Sequence, residues 1–308
     1  MIERNQTLPT LPSEHPHEIT PSRILAERLI HVDDNLIVLD KPAGWLSVPS
    51  RLGTKDPRPC VGTSLQENLR TLGMRGRQVW PVHRLDYEVS GILIFALNRD
   101  IHRTLCQMFE HRLVRKTYEA WALQRTSEDL FPKNSTTTVS QQLEFDPKIH
   151  HWYTWQSMIV RGKKRSFEAP HGQPATTRAL WQARLLFPRR KNLTQELQQW
   201  FLIPETGRSH QLRFEMFKHG LPLVGDTLYG GIPWFQQSNL SQPDTIALRC
   251  VRIEFEEIPL ADPSRSALAI QPRSSPTVSH QTLSLPGSFP RILETNTNLI
   301  NNVQDLIL

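Results

Sequence analysis

The amino-acid sequence predicts a fold that mixes α-helices with β-strands. Two apolar runs of strand length, residues 35–40 and 91–97, indicate strands, and the second is so continuous that we expect it to be buried on both faces. Residues 116–123 alternate in the manner of a third strand. A helical stripe begins near Asp100, since apolar residues then recur at helical spacing. The stripe consists of Ile101, Leu105, Met108 and Phe109.

Capping and turn residues predict further elements. Ser64 and Glu67 are three residues apart, in the form of a capping box, and they predict a short helix that stops at Gly73. Two elements follow in the C-terminal half: a strand at residues 196–204 and a helix at residues 209–218, which Gly220 and Pro222 end.

The composition narrows the class of protein. A formal net charge of +6 favours an anionic partner, and nucleic acid leads among these. Cys60, Cys106 and Cys250 are too far apart in sequence for a C-x-x-C metal or redox motif, which fits a reducing compartment. No stretch approaches 18 apolar residues, and the first 22 residues lack the apolar core of a signal peptide. We therefore expect a soluble, cytoplasmic protein that does not bind membranes.

The chain divides into one folded domain and two tails. Residues 1–22 predict a flexible N-terminal tail and residues 263–308 a Pro/Ser-rich C-terminal tail, since both lack periodic apolar patterning. Residues 23–262 contain no internal repeat and no long linker, which favours a single domain. Residues 292–308 regain Leu and Ile, so docking as a short helix is an alternative for that end.

The first polar segment reads H-R-L-D at residues 83–86 and directly precedes the apolar strand at 91–97. A carboxylate at the mouth of a buried strand is either paired or functional, because an unpaired charge there is costly. From composition alone, a structural pair between Arg84 and Asp86 followed by a turn is the plainer interpretation.

The second polar segment contains Tyr118 within the strand at 116–123. Ala120 and Ala122 lie on the same predicted face, and such small neighbours leave room for a planar group against the ring. Core packing is the alternative for a single tyrosine.

The third polar segment, residues 205–213, is a glycine-containing turn that opens a helix. The free N–H groups of a helix start favour an anion, and Arg208, His210 and Arg213 add positive or polarisable groups. A solvated helix start capped by Ser209 is the alternative.

Taken in order, these segments resemble the RluA-type pseudouridine synthases. The family signature H-R-L-D before Ser-Gly matches residues 83–91. Four other family segments have matches in the same order: K-P-x-G at residues 41–44, K-x-Y at 116–118, T-G-R-x-H-Q-[IL]-R at 206–213 and G-x-P-[IL]-x-G-D-x-x-Y-G at 220–230. The resemblance implies an α+β catalytic domain with a mixed, largely antiparallel central sheet, flanking helices and a central RNA-binding cleft.

The resemblance also implies roles for individual residues. Asp86 would be the essential aspartate, Tyr118 would stack on the extruded uracil, and Arg213 would hold the aspartate by a salt bridge. Arg84 would fill the place that the flipped nucleotide leaves in the RNA. Further RNA contacts are expected from His83, Lys116, Arg208, His210 and Gln211.

The implied reaction breaks the N1–C1′ bond of uridine in rRNA or tRNA and rejoins the base through C5, which needs no metal and no cofactor. A carboxylate can attack the sugar carbon or remove a sugar proton, and either role needs it ionised, as a neighbouring guanidinium would favour. The base must leave the RNA stack to expose its reacting atoms. We expect the enzyme to act as a monomer on RNA.

Three positions depart from the family pattern: Val89, Glu215 and Arg249. Residues 124–199 match only loosely and carry basic clusters with nearby aromatic residues, so we interpret them as a divergent insertion that contacts RNA. A solvated loop with a half-buried strand is the alternative for this stretch.

Two other functions compete with uridine isomerisation. One is an RNA-binding protein that keeps the scaffold without the activity. The other is a nucleoside or glycoside hydrolase that uses Asp86 and Glu88 as paired carboxylates, since residues two apart on a strand share a face. The motif around Asp86 is not that of a glycosidase.

Overall fold

The computed structural model describes residues 25–69, 73–123, 148–189, 193–232, 245–255 and 292–294. Within these ranges all the strands belong to one sheet. They are β1 Leu29–Val32, β2 Leu36–Lys41, β3 Trp80–Pro81, β4 Ser90–Ala96, β5 Val114–Ala122, β6 Trp152–Arg161, β7 Ser166–Glu168, β8 Gln173–Arg189, β9 Leu193–Pro204, β10 Leu248–Phe255 and β11 Ile292–Glu294. The α-helices are α1 Val61–Asn68, α2 Arg99–Glu110 and α3 Gln211–Lys218.

The strands follow the order β1-β2-β4-β10-β5-β9-β8-β6-β7, with β3 paired to β4 and β11 paired to β10. Only β4 and β10 run parallel among these strands, and every other described pair is antiparallel. The predicted α+β class with a mixed, largely antiparallel sheet is thus confirmed.

Strand β4 is apolar without alternation because helices cover both faces of the sheet around it. All seven of its residues are buried. On one face, Ile92 and Ile94 belong to the same core as Leu105 and Met108 of α2. On the other face a second core joins the intervening β4 residues to α1. Its members include Leu93, Phe95, Val61 and Leu65.

Helix α2 begins close to the predicted position. Asn98 is its N-cap, and the Asn98 side chain accepts a hydrogen bond from the Ile101 N–H at 2.8 Å. This cap satisfies one of the free N–H groups of the first helical turn. No helix among the described residues combines the length and apolar character needed to cross a membrane.

The predicted capping box at Ser64 is wrong. Helix α1 begins at Val61 with Cys60 as its N-cap, so Ser64 is a buried residue of the helix itself. The helix starts one turn earlier because Val61 and Leu65 are four residues apart and both face the core. The Ser64 N–H is satisfied by the Cys60 carbonyl at 3.0 Å.

The helix predicted at residues 209–218 begins two residues later than expected. Helix α3 begins at Gln211, because His210 has a φ of 51°, a left-handed conformation that cannot continue a right-handed helix. Ser209 therefore caps nothing, and its hydroxyl accepts a hydrogen bond from Arg161 instead.

The stretch that was interpreted as a divergent insertion supplies β6, β7, β8 and β9 to the central sheet, and residues 124–147 lie outside the described residues. Within the predicted C-terminal tail, residues 292–294 form β11 against β10 rather than part of a helix. The predicted N-terminal tail lies outside the described residues.

Candidate active site

A cleft with a volume of about 1030 Å³ brings the three polar segments together. Asp86, Tyr118 and Arg213 all line it, although the first and last of them are 127 positions apart in the printed sequence. The loop between β3 and β4 contributes Asp86, strand β5 contributes Tyr118, and the first turn of α3 contributes Arg213.

The backbone of the loop is fixed on both sides of Asp86. Before it, the Ser47 hydroxyl donates to the Leu85 carbonyl at 2.8 Å and accepts from the Leu85 N–H at 3.0 Å. After it, the Lys41 ammonium donates to the Tyr87 carbonyl at 3.2 Å. The Asp86 side chain is 30% exposed, and its position at the cleft follows from these backbone hydrogen bonds of its neighbours.

Lys41 is fully buried behind this loop. Its ammonium also donates to the carbonyls of Pro42 at 2.9 Å and Trp45 at 2.7 Å. Burial lowers the pKa of Lys41 to about 7, and the carboxylates of Asp86 and Glu88 oppose that shift. Lys41 thereby ties the end of β2 to the loop that carries Asp86.

Arg213 is buried and makes its strongest ion pair with Asp226. Its Nε lies 2.7 Å from Asp226 Oδ2, and its Nη2 lies 2.8 Å from Asp226 Oδ1, a bidentate geometry. The third nitrogen, Nη1, lies 3.2 Å from Glu88 Oε2 and 3.9 Å from Asp86 Oδ2. Burial works against this charge, but Asp226 and then Glu88 raise the pKa of Arg213 above its usual value. The predicted pairing with Asp86 is thus a longer contact than the pairing with Asp226.

Tyr118 is 8% exposed and stands at the wall of the cleft. Burial raises the pKa of its phenol well above the usual value, and the neighbouring Cys250 and Asp86 act in the same direction. The hydroxyl therefore stays protonated near neutral pH, within the electrostatic reach of Asp86.

His210 lies between Tyr229 and the loop that carries Asp86. Its Nε2 lies 4.0 Å from Asp86 Oδ2, and its Nδ1 lies 3.3 Å from the Tyr229 hydroxyl. Burial lowers the pKa of His210, against the attraction of Asp86 and assisted by Arg213. This shift favours a neutral imidazole beside the carboxylate.

Gln211 braces the turn that leads into α3. Its Oε1 accepts hydrogen bonds from the Thr206 hydroxyl at 2.8 Å and the Arg208 N–H at 3.0 Å. Its Nε2 donates to the Thr176 carbonyl at 3.0 Å and the Thr177 hydroxyl at 2.9 Å. Both ends of this buried amide are thus hydrogen-bonded within the protein, and the predicted RNA contact of Gln211 stays a prediction.

His83 lines the cleft with its ring packed on Phe109, and its predicted contact with RNA stays a prediction. Both ring nitrogens are buried with no hydrogen-bond partner among the described residues, and the ring stacks on Phe109 with 5.0 Å between centroids. Burial, and then the charge of Lys116, lower the pKa of His83 to about 3. The Lys116 ammonium lies 5.6 Å from the centroid of the same Phe109 ring, at the edge of the cleft.

The remaining predicted RNA contacts line the cleft and are more exposed to solvent. Arg84 is exposed, and Arg208 is half-buried with its Nε donating to the Pro174 carbonyl at 3.0 Å. Arg58 lies opposite them in the lining and was not singled out from the sequence. It is paired with Asp56 at 2.9 and 2.7 Å, and no local sequence signal distinguishes it from other surface arginines.

Sequence reasoning missed the carboxylate that anchors Arg213. Asp226 belongs to the family segment at residues 220–230, which was the available signal, but a segment match does not say which cation its aspartate meets. Lys41 was similarly visible only as the first letter of K-P-x-G. Both are buried charges whose partners come from other elements, so only the assembled fold reveals their roles.

The fold and the site define a class of RNA-modifying isomerase, and comparison with known proteins identifies the family. Residues 35–219 match the family model described as RNA pseudouridylate synthase. The chain therefore belongs to the RNA pseudouridylate synthase family. The predicted family and the predicted enzyme class, an RNA pseudouridine synthase, are confirmed.

Individual relatives agree with this assignment. tRNA pseudouridine synthase C of Pectobacterium carotovorum subsp. carotovorum is 32% identical over 206 residues, which are 66% of this chain and 48% of that protein. The matched region thus spans about half of that relative's length. The dual-specificity RNA pseudouridine synthase RluA of Pasteurella multocida (strain Pm70) is 31% identical over 65% of this chain and 76% of that protein. The solved structure of human RNA Pseudouridylate Synthase Domain Containing 4 covers 76% of this chain, and the match covers 86% of that structure with a TM-score of 0.52 at 18% identity, which supports the fold.

Proposed function

We propose that this protein isomerises specific uridines of ribosomal or transfer RNA to pseudouridine, with Asp86 as the essential catalytic carboxylate. The observation that carries the proposal is the meeting of Asp86, Tyr118 and Arg213 in one cleft from three distant segments. Similar proteins named for action on tRNA, on the ribosomal large subunit, or with dual specificity towards RNA support the two substrate classes.

Positive charge lies close to Asp86. The Arg213 guanidinium is 3.9 Å away, and either attack on C1′ or removal of a sugar proton would use the Asp86 carboxylate. Glu88 accepts from the same Arg213 nitrogen, so it competes for that cation and keeps the Asp86 contact long. A loosely held carboxylate can move toward a substrate carbon without breaking a bidentate pair.

Tyr118 suits a flipped base. Its ring is a flat wall beside Asp86, and base stacking on an aromatic ring contributes about 1–3 kcal/mol. Because its hydroxyl stays protonated, we assign it first to hydrogen bonding. It then takes up the proton that leaves C5 as it passes its own proton to the neighbouring Asp86 carboxylate.

Positive groups around the cleft suit the RNA backbone. Arg84, Arg208 and Lys116 are the proposed contacts, and we assign the exposed Arg84 to the space left by the flipped nucleotide. His210 supports Asp86 from the α3 side as a neutral donor or acceptor.

The β6–β7 hairpin carries a further proposed RNA contact. Lys164 is exposed in its turn, whereas Arg190 lies outside the described residues. Reversal of the Lys164 charge should weaken RNA binding and leave the fold intact, because within the described ranges no hydrogen bond or ion pair of this side chain holds the hairpin. Unchanged affinity would remove this contact from the proposal.

The setting of the reaction is also part of the proposal. Residues 23–262 act as one catalytic domain, as a monomer in the cytoplasm, without a cofactor. The free thiols of Cys60, Cys106 and Cys250 support a reducing compartment.

The proposed function is tested by mapping pseudouridine in total RNA from cells with and without the gene. Wild-type protein should restore the missing sites and Asp86→Asn should not. Asp100→Asn is the matched control, since it makes the same change at an exposed aspartate of α2 and should restore every site. Restoration by Asp86→Asn would contradict the catalytic assignment.

A further inference from the structure

A second cavity of about 490 Å³ adjoins the catalytic cleft and is not used by the reaction described above. It lies where the α2–β5 turn meets the end of β9. The two spaces share a rim that includes Lys116, Gly207 and Arg208. The side cavity is therefore adjacent to the catalytic cleft, on the path of a polymer that extends beyond this shared rim.

The lining of the side cavity carries an excess of positive charge. Four arginines face two glutamates, Glu110 and Glu205, and both glutamates are exposed. The arginines are Arg112, Arg115, Arg178 and Arg208. Arginine keeps its charge at any physiological pH and presents a planar fork that matches phosphate oxygens.

Two of these arginines are held toward the cavity without an ion pair in the described parts of the chain. Arg178 lies over the Trp152 ring, 4.8 Å from its centroid, a contact that orients the guanidinium and leaves its N–H groups available. Arg112 is exposed in the turn after α2 and has a φ of 60°. A long, charged residue in a left-handed turn costs conformational energy that Asn or Gly would avoid, which favours a use for its side chain.

We propose that the side cavity binds the phosphodiester backbone of the RNA on one flank of the target uridine, through Arg112 and Arg178. This inference rests on the proposed function, because it extends the RNA path from the catalytic cleft. Phosphate contacts position a nucleic acid without reading its bases. The cavity therefore sets affinity and register, while the chemistry stays with the catalytic cleft.

The test uses the full chain carrying Arg112→Asn and Arg178→Gln together. Asn tolerates the left-handed backbone of position 112 better than alanine does, so we expect the variant to keep its fold. The assay measures pseudouridine formation in bulk tRNA and rRNA from cells that lack the gene. We expect an unchanged kcat and a KM raised by about tenfold per lost contact, because the interaction is made equally before and during the reaction.

A second measurement isolates the electrostatic contribution. Binding of bulk tRNA to the Asp86→Asn protein is followed against salt concentration, with and without the two arginine substitutions. The slope of log affinity against log salt should fall by about 0.7 for each lost phosphate contact to a single strand. Arg178→Lys should keep the slope, since it preserves the charge, and Arg103→Gln on the outer face of α2 is the matched control.

The outcomes separate this inference from the proposed function. A wild type without pseudouridine-forming activity would overturn both. An active wild type whose double variant keeps the KM and salt slope of Arg103→Gln would overturn the side cavity alone. A raised KM with a reduced slope in the double variant would support it.

Discussion

Arg213 and Asp226 form a buried bidentate ion pair with nitrogen–oxygen distances of 2.7 and 2.8 Å. This pair leaves one guanidinium nitrogen of Arg213 facing the loop between β3 and β4. That nitrogen meets Glu88 and Asp86. Asp226 thus orients the Arg213 guanidinium toward the loop between β3 and β4.

The first prediction concerns this pair. Asp226→Asn should destabilise the protein by about 3 kcal/mol, because it leaves a buried guanidinium without its main counter-charge. Urea unfolding measures the change. Asp100→Asn, in an exposed pair with Arg103, should change stability little. Equal stability of the two variants would mean that Asp226 does not anchor Arg213.

The second prediction separates the ring of Tyr118 from its hydroxyl. Tyr118→Phe keeps the stacking surface and removes the proton donor, so we expect KM to stay near the wild-type value while kcat falls by about 100-fold or more. Tyr153→Phe is the matched control, because Tyr153 lies outside the cleft lining. Single-turnover kinetics on bulk RNA gives both constants. Unchanged values of both KM and kcat would assign Tyr118 to stacking alone.

The third prediction concerns Gly91 at the start of β4. A Cβ there would lie 2.2 Å from the Cys250 carbonyl oxygen and 2.5 Å from its nitrogen, in the parallel pair of β4 and β10. Gly91→Ala should therefore cost more than the roughly 1–2 kcal/mol of a left-handed backbone alone.

Gly73→Ala is the control for that strain. Gly73 has a φ of 76°, and a Cβ there meets nothing within 4 Å. The difference between the two variants in free energy of unfolding gives the cost of the steric clash between β4 and β10. Equal losses would show that the sheet opens to admit the methyl group.

The fourth prediction follows from Glu215, which departs from the family pattern. Its carboxyl is fully buried, 3.9 Å from the Nδ1 of His219, and burial raises its pKa to about 7 while Ser157 and Lys218 oppose the shift. The unfolded chain ionises this group near its usual pKa of 4.5. The folded state therefore binds more protons between these two values, so the contribution of Glu215 to stability falls as pH rises through that window.

Glu215→Gln should remove this dependence. We expect the variant to gain about 2 kcal/mol over the wild type between pH 5 and pH 8, measured by urea unfolding at both pH values. His219 contributes in the opposite direction, because burial lowers its pKa to about 4, so its stability contribution is lost as pH falls toward that value in both proteins. A constant difference across pH would mean that Glu215 is ionised in the folded protein throughout.

The sequence by itself determined the local elements and the chemistry. The apolar run of β4, the stripe of α2 and the alternation of β5 follow from burial periodicity, which a strand or helix imposes wherever it packs. Asp86, Tyr118 and Arg213 were identified because their segments match a family in order. Helix starts at Val61 and Gln211 were misplaced, because a core contact decided the first and a left-handed His210 the second.

Only the tertiary structure decided which charges meet. Asp226 rather than Asp86 forms the bidentate ion pair with Arg213. The Gln211 amide is hydrogen-bonded within the protein, and Lys41 lies buried behind the loop that carries Asp86. Such pairings depend on distance and burial between elements far apart in sequence, and local patterns carry neither quantity. The sequence thus identifies Asp86 as the candidate carboxylate, whereas the fold determines which charged groups surround it.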